Sequence, residues 1–525
     1  MLRDDVGDRA RASALPIVGL LAAGLAARLA ALPFAATADP DAVARVMIAR
    51  EWLADPHLIT HGVWGPLHFY LLAAVIWLTG DPVLGPIGLN IVLSVATAGI
   101  LYAFTRREFS REASLLVAAA YLFYPVAFRN SLQSLAETLF VFLAGIAVLL
   151  LPVSGGPGAW RRALAAGAFL TLAGAVRYEG WVLIPLLGLL MLKQRGPLVA
   201  FLSTALAFPL FWLAGNYLHS GDPLYSMHFS TNWQMTLEGA NEGLNAGEVL
   251  RRLTFFPAAL LFGLTPVVAL LSVAGAIAAV REGHVTRKWL VPSLGLLAFF
   301  TVKALDGSLG TRARYGMLLA FLLLPFAGEA WNRMRPRLRH PSLWGVVLIA
   351  SMLPLSYVGW AFRWTGLASL EHLLPGEIKA LPRMAAGATA PRVVAALAGL
   401  PDNGRSGVLL DFWAWDETYY VALMSGIEPA RLHILPGAKN ATLQTRNETM
   451  TGGGLEEFLT RFDHGILVTS RRSRFLAPCD SGETRALCFV ECPSIRLLTR
   501  VEAEVDDVSV SRYARDPSNP SARCH

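Results

Sequence analysis

Between Leu15 and Phe362 apolar runs recur, most of them near the length of about twenty residues that a helix needs to cross a bilayer core, with short charged clusters between them. Such a pattern leaves few options, because in lipid every backbone amide and carbonyl must be paired inside the protein. It predicts a polytopic α-helical membrane protein. Composition agrees, with 54% of the 525 residues hydrophobic and 16% charged. From about Leu374 the sequence turns to mixed polar and apolar residues, so a membrane domain over 1–373 and a soluble domain over 374–525 are expected.

The net charge of +7 does not point to nucleic acid, because the arginines are gathered neither on one face nor in one domain. They stand in "RDDVGDRARAS", "TRREFSRE", "WRR", "KQR", "REGHVTRK" and "WNRMRPRLRH", where a positive-inside bias puts cytoplasmic loops. Spans near 15–34, 84–104, 112–128, 135–152, 161–177, 180–194, 197–218, 252–280, 289–305, 311–330 and 341–362, about eleven in all, place every one of these clusters inside. That requires "PLHFYLLAAVIWLTG" at 66–80 not to cross, in keeping with its short length. It leaves a first outer loop over 35–83 and a large one over 219–252. Residues 15–38 also admit a signal-peptide reading, since "AATA" precedes Asp39; either way Asp39 emerges outside.

All four cysteines, Cys479, Cys488, Cys492 and Cys524, lie in the C-terminal region, which parity places outside, as an oxidising compartment allows. Three pairings are open. In the same region "SGVLLDFWAWDETYYVALMSG" and "FDHGILVTSRR" alternate strand-like and helix-like or turn sequence, which predicts an α/β domain. No Walker or dinucleotide glycine fingerprint, GxSxG elbow or HExxH occurs.

The first outer loop opens with "TADPDAVARVMIAREWL". Asp39 is a helix N-cap with Pro40 at the first helical position, Asp55-Pro56 closes the segment, and Asp41 and Arg45 share a face at i and i+4. Other outer ends also carry charge: "FRNSLQSLAETLF" with Arg129 and Glu137, the latter about two turns into a span, "VRYEGWV" with Arg177 and Glu179, and "DGSLGTRARYG" with Asp306, Arg312, Arg314 and Tyr315. Ionisable groups at membrane depth usually face a bundle interior or a watery cavity. Arginines match phosphate oxygens, and a carboxylate can deprotonate a hydroxyl or bind a divalent cation. The expected chemistry is group transfer from a lipid phosphate.

These residues resemble those of the GT-C superfamily, the multi-spanning glycosyltransferases that use polyprenyl-phosphate-linked sugars. "DPD" at 39–41 looks like the acidic DxD-type motif of the first outer loop, and "WGPLHFYL" resembles the PPLY-like segment of protein O-mannosyltransferases and of the lipid A aminoarabinose transferase, with Gly65 in place of the first proline. "SLAETLF", "VRYEGWVLIP" and "RARYGMLLAFLLLPF" look like later landmarks, so the likeness covers most of 15–425. "FWAWDETYY" at 412–420 is a broken match to the WWDYG motif of oligosaccharyltransferases and reads better as an aromatic strand end.

The resemblance implies a GT-C fold in a bacterial-type inner membrane with a periplasmic α/β domain. It also implies inverting transfer of a sugar from a polyprenyl-phosphate donor to a lipid, glycan or protein acceptor. A first-loop aspartate would be base or metal ligand. Asp39 fits a DPxxxxR pattern and Asp41 a DEA-like one; Asp41 is preferred because capping occupies Asp39. Arg45, Arg177, Arg312, Arg314 and Tyr315 are the candidate binders of the donor phosphate, and Glu137 and Glu179 the second acidic group. Asp39, Asp41 and Glu137 are the candidates to hold Mg or Mn, should a metal be required. Two other classes compete: a ligase or oligosaccharyltransferase using a diphosphate-linked glycan, and a lipid or sugar flippase, which would be expected to show internal repeats.

Overall fold

The computed structural model describes the chain apart from residue 1 and residues 33–39, 154, 238–244, 283–286, 351–388, 402–405, 412–414, 436–454, 472, 474–475, 480–485, 490–495 and 517–525. By packing, the chain divides into two units, Met1–Ala35 with Thr60–His68 and Ile87–Leu381, and Ala36–Ile59 with Phe69–Pro86 and Pro382–His525. The division does not follow chain order, since most of residues 35–83 group with the C-terminal region. The expected boundary at 374 lies outside the described residues, as do Asp39, Cys492 and Cys524.

The helices run in the order α1 (Leu2–Ala31), α2 (Pro40–Ala54), α3 (Leu67–Thr79), α4 (Leu84–Thr105), α5 (Arg111–Leu122), α6 (Pro125–Ser131), α7 (Ala136–Leu150), α8 (Ala159–Gly174), α9 (Glu179–Leu189), α10 (Arg195–Ala205), α11 (Ala207–Ser220), α12 (Tyr225–Leu237), α13 (Ala246–Gly263), α14 (Pro266–Glu282), α15 (Arg287–Leu305) and α16 (Met317–Met334). Pro341–Ala350 is a further short apolar helix. At the heart of the first unit stands α16, whose residues Met317–Leu322 are all buried. Val92, Val199, Leu210 and Leu270 are exposed, as the outer surface of a bundle facing lipid requires.

Among the described residues four helices are long and apolar enough to cross a bilayer alone, or six if each of two bent pairs counts as one. The pairs are α6 with α7, bent by 116°, and α13 with α14, bent by 99°. The span expected over 252–280 is therefore broken, with Thr265 at a positive φ before Pro266. Others are short helices, α5 of 12 residues and α9 of 11. Helices buried in protein tolerate this, because neighbours pair the freed backbone groups. With 13 residues α3 is about 20 Å long, too short to cross.

Far from being an appendage, α1 is stitched into the bundle by Arg28. Fully buried, Arg28 donates to Ser131 Oγ (2.9 Å), Ser94 Oγ (3.0 Å) and the carbonyls of Gly24 (3.1 Å) and Leu122 (2.9 Å), and lies over the Phe128 ring.

The C-terminal region is an α/β domain around a seven-stranded sheet of order β2-β1-β3-β7-β6-β5-β4. Strands β1 (Gly407–Leu410), β2 (Leu432–Ile434) and β3 (His464–Ser470) are parallel, and β4 (Leu476–Pro478), β5 (Ala486–Phe489), β6 (Arg496–Val505) and β7 (Val508–Arg515) extend the sheet antiparallel. Both quoted strand-like runs are strands. All of "GVLL" is buried, as parallel strands covered on both faces are. Leu409, Leu467, Phe458, Phe462 and Tyr513 form the core beside helix Leu455–Arg461. From Trp415 onward "FWAWDETYY" is not a strand end but a helix, Trp415–Met424. Cys479 and Cys488 form a disulfide across the β4–β5 edge, Cα to Cα 5.3 Å.

Candidate active site

Glu137 owes its place to the break between α6 and α7. Instead of lying two turns into a span, it sits in the first turn of α7, where the helix dipole favours a carboxylate. Residue Leu135, at the N-cap, has no side-chain cap of its own. Asn90 of α4 ties the segment just before the helix to the bundle, its Nδ2 donating to the carbonyls of Gln133 (2.5 Å) and Leu135 (2.8 Å).

Arg177 and Glu179 lie where α8 ends and α9 begins. Loop 60–67 docks on this junction, through the Leu67 amide to the Ala175 carbonyl (3.2 Å) and the Tyr178 hydroxyl to the Val63 carbonyl (2.9 Å). Gly65 permits the approach, because a Cβ there would meet the Ala175 carbonyl oxygen at 2.3 Å. That is a local reason for glycine where the family motif has proline.

These elements bring four of the predicted charges together in one network. Arg177 Nη1 meets Glu137 Oε1 at 2.7 Å, and its Nη2 and Nε meet the two oxygens of Glu179 at 2.6 and 3.1 Å. Arg314, in the turn Ala313–Gly316 before α16, reaches Glu137 Oε1 with Nε at 3.3 Å. Both guanidinium groups lie over the Tyr315 ring, at 5.0 and 5.6 Å from its centre. Glu137, Glu179 and Arg314 are buried. Two carboxylates and two guanidinium ions balance, as buried charge requires. The expected pairing of Arg177 with Glu179 is present, and Glu137 joins it.

Arg312 differs. It is half-buried and among the described residues its side chain makes no ion pair. Its neighbour Thr311 accepts a hydrogen bond from Arg251 Nη1 (2.9 Å), which opens a second cluster: Glu248 is gripped by Arg251 Nη2 and Arg252 Nε, both at 2.7 Å, and Arg252 donates to the Ala304 carbonyl (3.2 Å). Arg251 and Arg252 went unremarked in the sequence, although a doubled arginine closing an outer loop is a signal of the same kind as "RAR" at 312–314.

Asp41 and Arg45 belong to the second unit. As expected, α2 begins at Pro40 with Asp41 in its first turn, and it ends before Asp55. Asp41 is half-buried, while Arg45 is buried with its guanidinium 5.6 Å from the centre of the Phe69 ring. Among the described residues no group of three or more His, Cys, Asp or Glu side chains is placed to hold a metal ion. Glu137 is engaged by two arginines, so the described donor set does not fit a divalent cation there. His57 contacts the Asp55 carbonyl and His61 stacks on His219, neither in a ligand cluster.

A profile described as dolichyl-phosphate-mannose-protein mannosyltransferase matches residues 61–214. The fold is similar to that of ArnT from Cupriavidus metallidurans bound to undecaprenyl phosphate, with a TM-score of 0.65, 16% identity, and 95% of this chain and 98% of that chain covered. Its apo form gives a TM-score of 0.58 at 14% identity over the same shares of both chains. The oligosaccharyltransferase of Archaeoglobus fulgidus in the apo form aligns at a TM-score of 0.48 and 11% identity, over 86% of this chain and 69% of that one. No curated protein sequence matches significantly. Residues 61–214 are thus similar to the mannosyltransferase profile, and the chain shares the fold of ArnT over nearly its whole length.

Proposed function

We propose that this protein transfers a sugar from a polyprenyl-monophosphate-linked donor to a lipid, glycan or protein acceptor on the outer face of a bacterial-type inner membrane. The observation that carries this reading is the contrast between the neutral network of Glu137, Arg177, Glu179 and Arg314 and the neighbouring Arg312, whose side chain makes no ion pair among the described residues. A charge-balanced network holds the local backbone in place, and a lone cation at its side offers a phosphate oxygen a partner without stripping a carboxylate of its own. That suits one phosphate group. The relative that holds undecaprenyl phosphate has the same fold, which is consistent with a lipid phosphate as leaving group.

In this reading Asp41 takes the proton from the acceptor hydroxyl. The hydroxyl oxygen attacks the anomeric carbon from the side opposite the phosphate, the bond from that carbon to the phosphate oxygen breaks, and polyprenyl phosphate leaves with the electron pair. One displacement inverts the anomeric centre. Arg312, supported by Arg177, Arg314 and Tyr315, holds the departing phosphate, and Glu137 with Glu179 fixes the two paired arginines. A periplasmic α/β domain and the Cys479–Cys488 disulfide in an oxidising compartment complete the proposal.

A transfer assay on purified protein in lipid, with radiolabelled polyprenyl-phosphate monosaccharides, tests it. Wild type should move label to acceptor or water, Asp41→Asn should not, and Asp39→Asn should retain activity because asparagine caps a helix as well as aspartate does. Activity retained by Asp41→Asn and lost by Asp39→Asn reassigns the base; donor consumed by neither variant nor wild type removes the proposal.

A further inference from the structure

The helix that carries Asp41 is built into the same unit as the α/β domain. Eight consecutive residues of α2, Ala42 to Ala49, are buried, although the segment belongs to a loop. Within the unit α2 packs along helix Trp415–Met424 and the short turn Pro429–Arg431 that follows it. A polar contact joins them, Arg50 Nη2 donating to the Ile427 carbonyl at 3.3 Å.

The acceptor is well placed by local chemistry. Helix Trp415–Met424 ends at Ser425, whose amide bonds the Val421 carbonyl, and Gly426 follows at φ +69° in the left-handed region that glycine favours. The chain then presents carbonyls at a helix C-terminus, which attracts a cation, and the Glu428 carboxylate adds to the attraction on Arg50. Beyond it, Arg431 donates to the Ser406 carbonyl from Nε (3.0 Å) and Nη2 (2.8 Å), at the start of β1. Hydrogen bonds therefore run from α2 through the turn to the central sheet.

We infer that the α/β domain is part of the transfer apparatus, and that Arg50 is a positioning residue through which the domain sets where Asp41 stands. Asp41 and Arg50 lie nine residues apart, about two and a half turns along one rigid helix. A shift of α2 against the domain moves the carboxylate with it, and small displacements of a reacting group are costly to rate. Binding of an acceptor to the α/β domain would act on the carboxylate by the same route. The inference rests on Asp41 as the base proposed above.

The test uses the full chain in lipid. Arg50→Met keeps the aliphatic stem and removes the donor, Arg50→Lys restores a charge, and Gly426→Val strains the other side of the contact. Arg50→Met should lower kcat about tenfold while donor KM stays within about twofold, with partial recovery in Arg50→Lys. Hydrogen exchange should quicken in α2 and stay unchanged in α7 and α16. Should Arg50→Met fail to fold, Gly426→Val is the deciding variant, with the same split expected. Unchanged kcat, or a loss carried by donor KM alone, overturns the inference. An inactive wild type instead counts against the proposed reaction, whereas active wild type with unaffected variants counts against this inference only.

Discussion

The two units handle buried charge in different ways. In the helical unit ionised groups are pooled, with Glu137 shared between Arg177 and Arg314, Glu179 also on Arg177, and Glu248 shared between Arg251 and Arg252. In the α/β domain the buried Asp411 is tied to strand ends, its Oδ2 accepting from the Ser470 amide (3.0 Å) and Thr469 Oγ1 (3.2 Å), and His433 lies against Phe458 with, among the described residues, no hydrogen bond to either ring nitrogen. Pooled ions hold one another in place and leave the neighbouring Arg312 to meet an anionic ligand, while a carboxylate bonded to strand backbone or a neutral imidazole in a core serves packing alone. The first arrangement suits binding and the second suits shape.

The sharpest break of this contrast comes from carboxylates. Asp41→Asn should lower transfer by about 10²–10⁴-fold through loss of the general base, and Glu137→Gln should remove transfer by releasing Arg177 and Arg314. Only Glu137→Gln should also lower the thermal unfolding midpoint, because it leaves buried guanidinium charge without a counter-ion, at a cost of about 3 kcal/mol. Normal turnover by both variants would end the assignment. Next in size, Arg312→Ala should weaken apparent donor affinity about tenfold without changing thermal stability, whereas Arg314→Ala should change both. Equal stability losses in the two would erase the distinction between free and pooled arginines.

Asn90→Leu tests the support rather than the charges. With the carbonyls of Gln133 and Leu135 unpaired in the bundle, stability should fall by about 1–3 kcal/mol and turnover with it, measured by thermal unfolding and initial rates in lipid. A fully stable, active variant would detach Asn90 from Glu137.

The smallest effects sharpen the picture of the second unit through pH. Burial pushes His433 down to about 4 from 6.5, so its contribution to stability is present above pH 6.5 and is lost as pH falls through about 4. Burial, with the Asp55 charge second, pushes Glu51 up to about 9 from 4.5, so its contribution is present below pH 4.5 and is lost as pH rises through about 9. His433→Leu should flatten the acid limb of the unfolding profile and Glu51→Gln the alkaline limb; profiles parallel to wild type would show that neither group titrates as its burial requires.

The contrast also explains what was legible in the sequence. Pro40 and Asp55-Pro56 announce both ends of α2, and the spacing of Arg177 and Glu179 announces their pairing, because these are local rules. The break before Glu137 falls in "LQSL" without glycine or proline, and the groups that stabilise this region, Asn90 and Arg28, stand 43 and 103 residues from Gln133 and Ser131. No local pattern carries that information. Arg251 and Thr311, 60 residues apart, are hidden for the same reason. Counting apolar runs likewise merged α13 with α14 and treated α5 and α9 as full spans, since hydropathy does not distinguish a helix facing lipid from one enclosed by protein.

The most direct measurement is the lipid product itself. Purified protein in nanodiscs, where transport between compartments has no meaning, would be given matched monophosphate- and diphosphate-linked sugar donors, and polyprenyl phosphate would be counted against sugar transferred. The account predicts one polyprenyl phosphate per sugar moved, from the monophosphate donor only, and none with Asp41→Asn. Product from the diphosphate donor alone, or no lipid product from either, would contradict it.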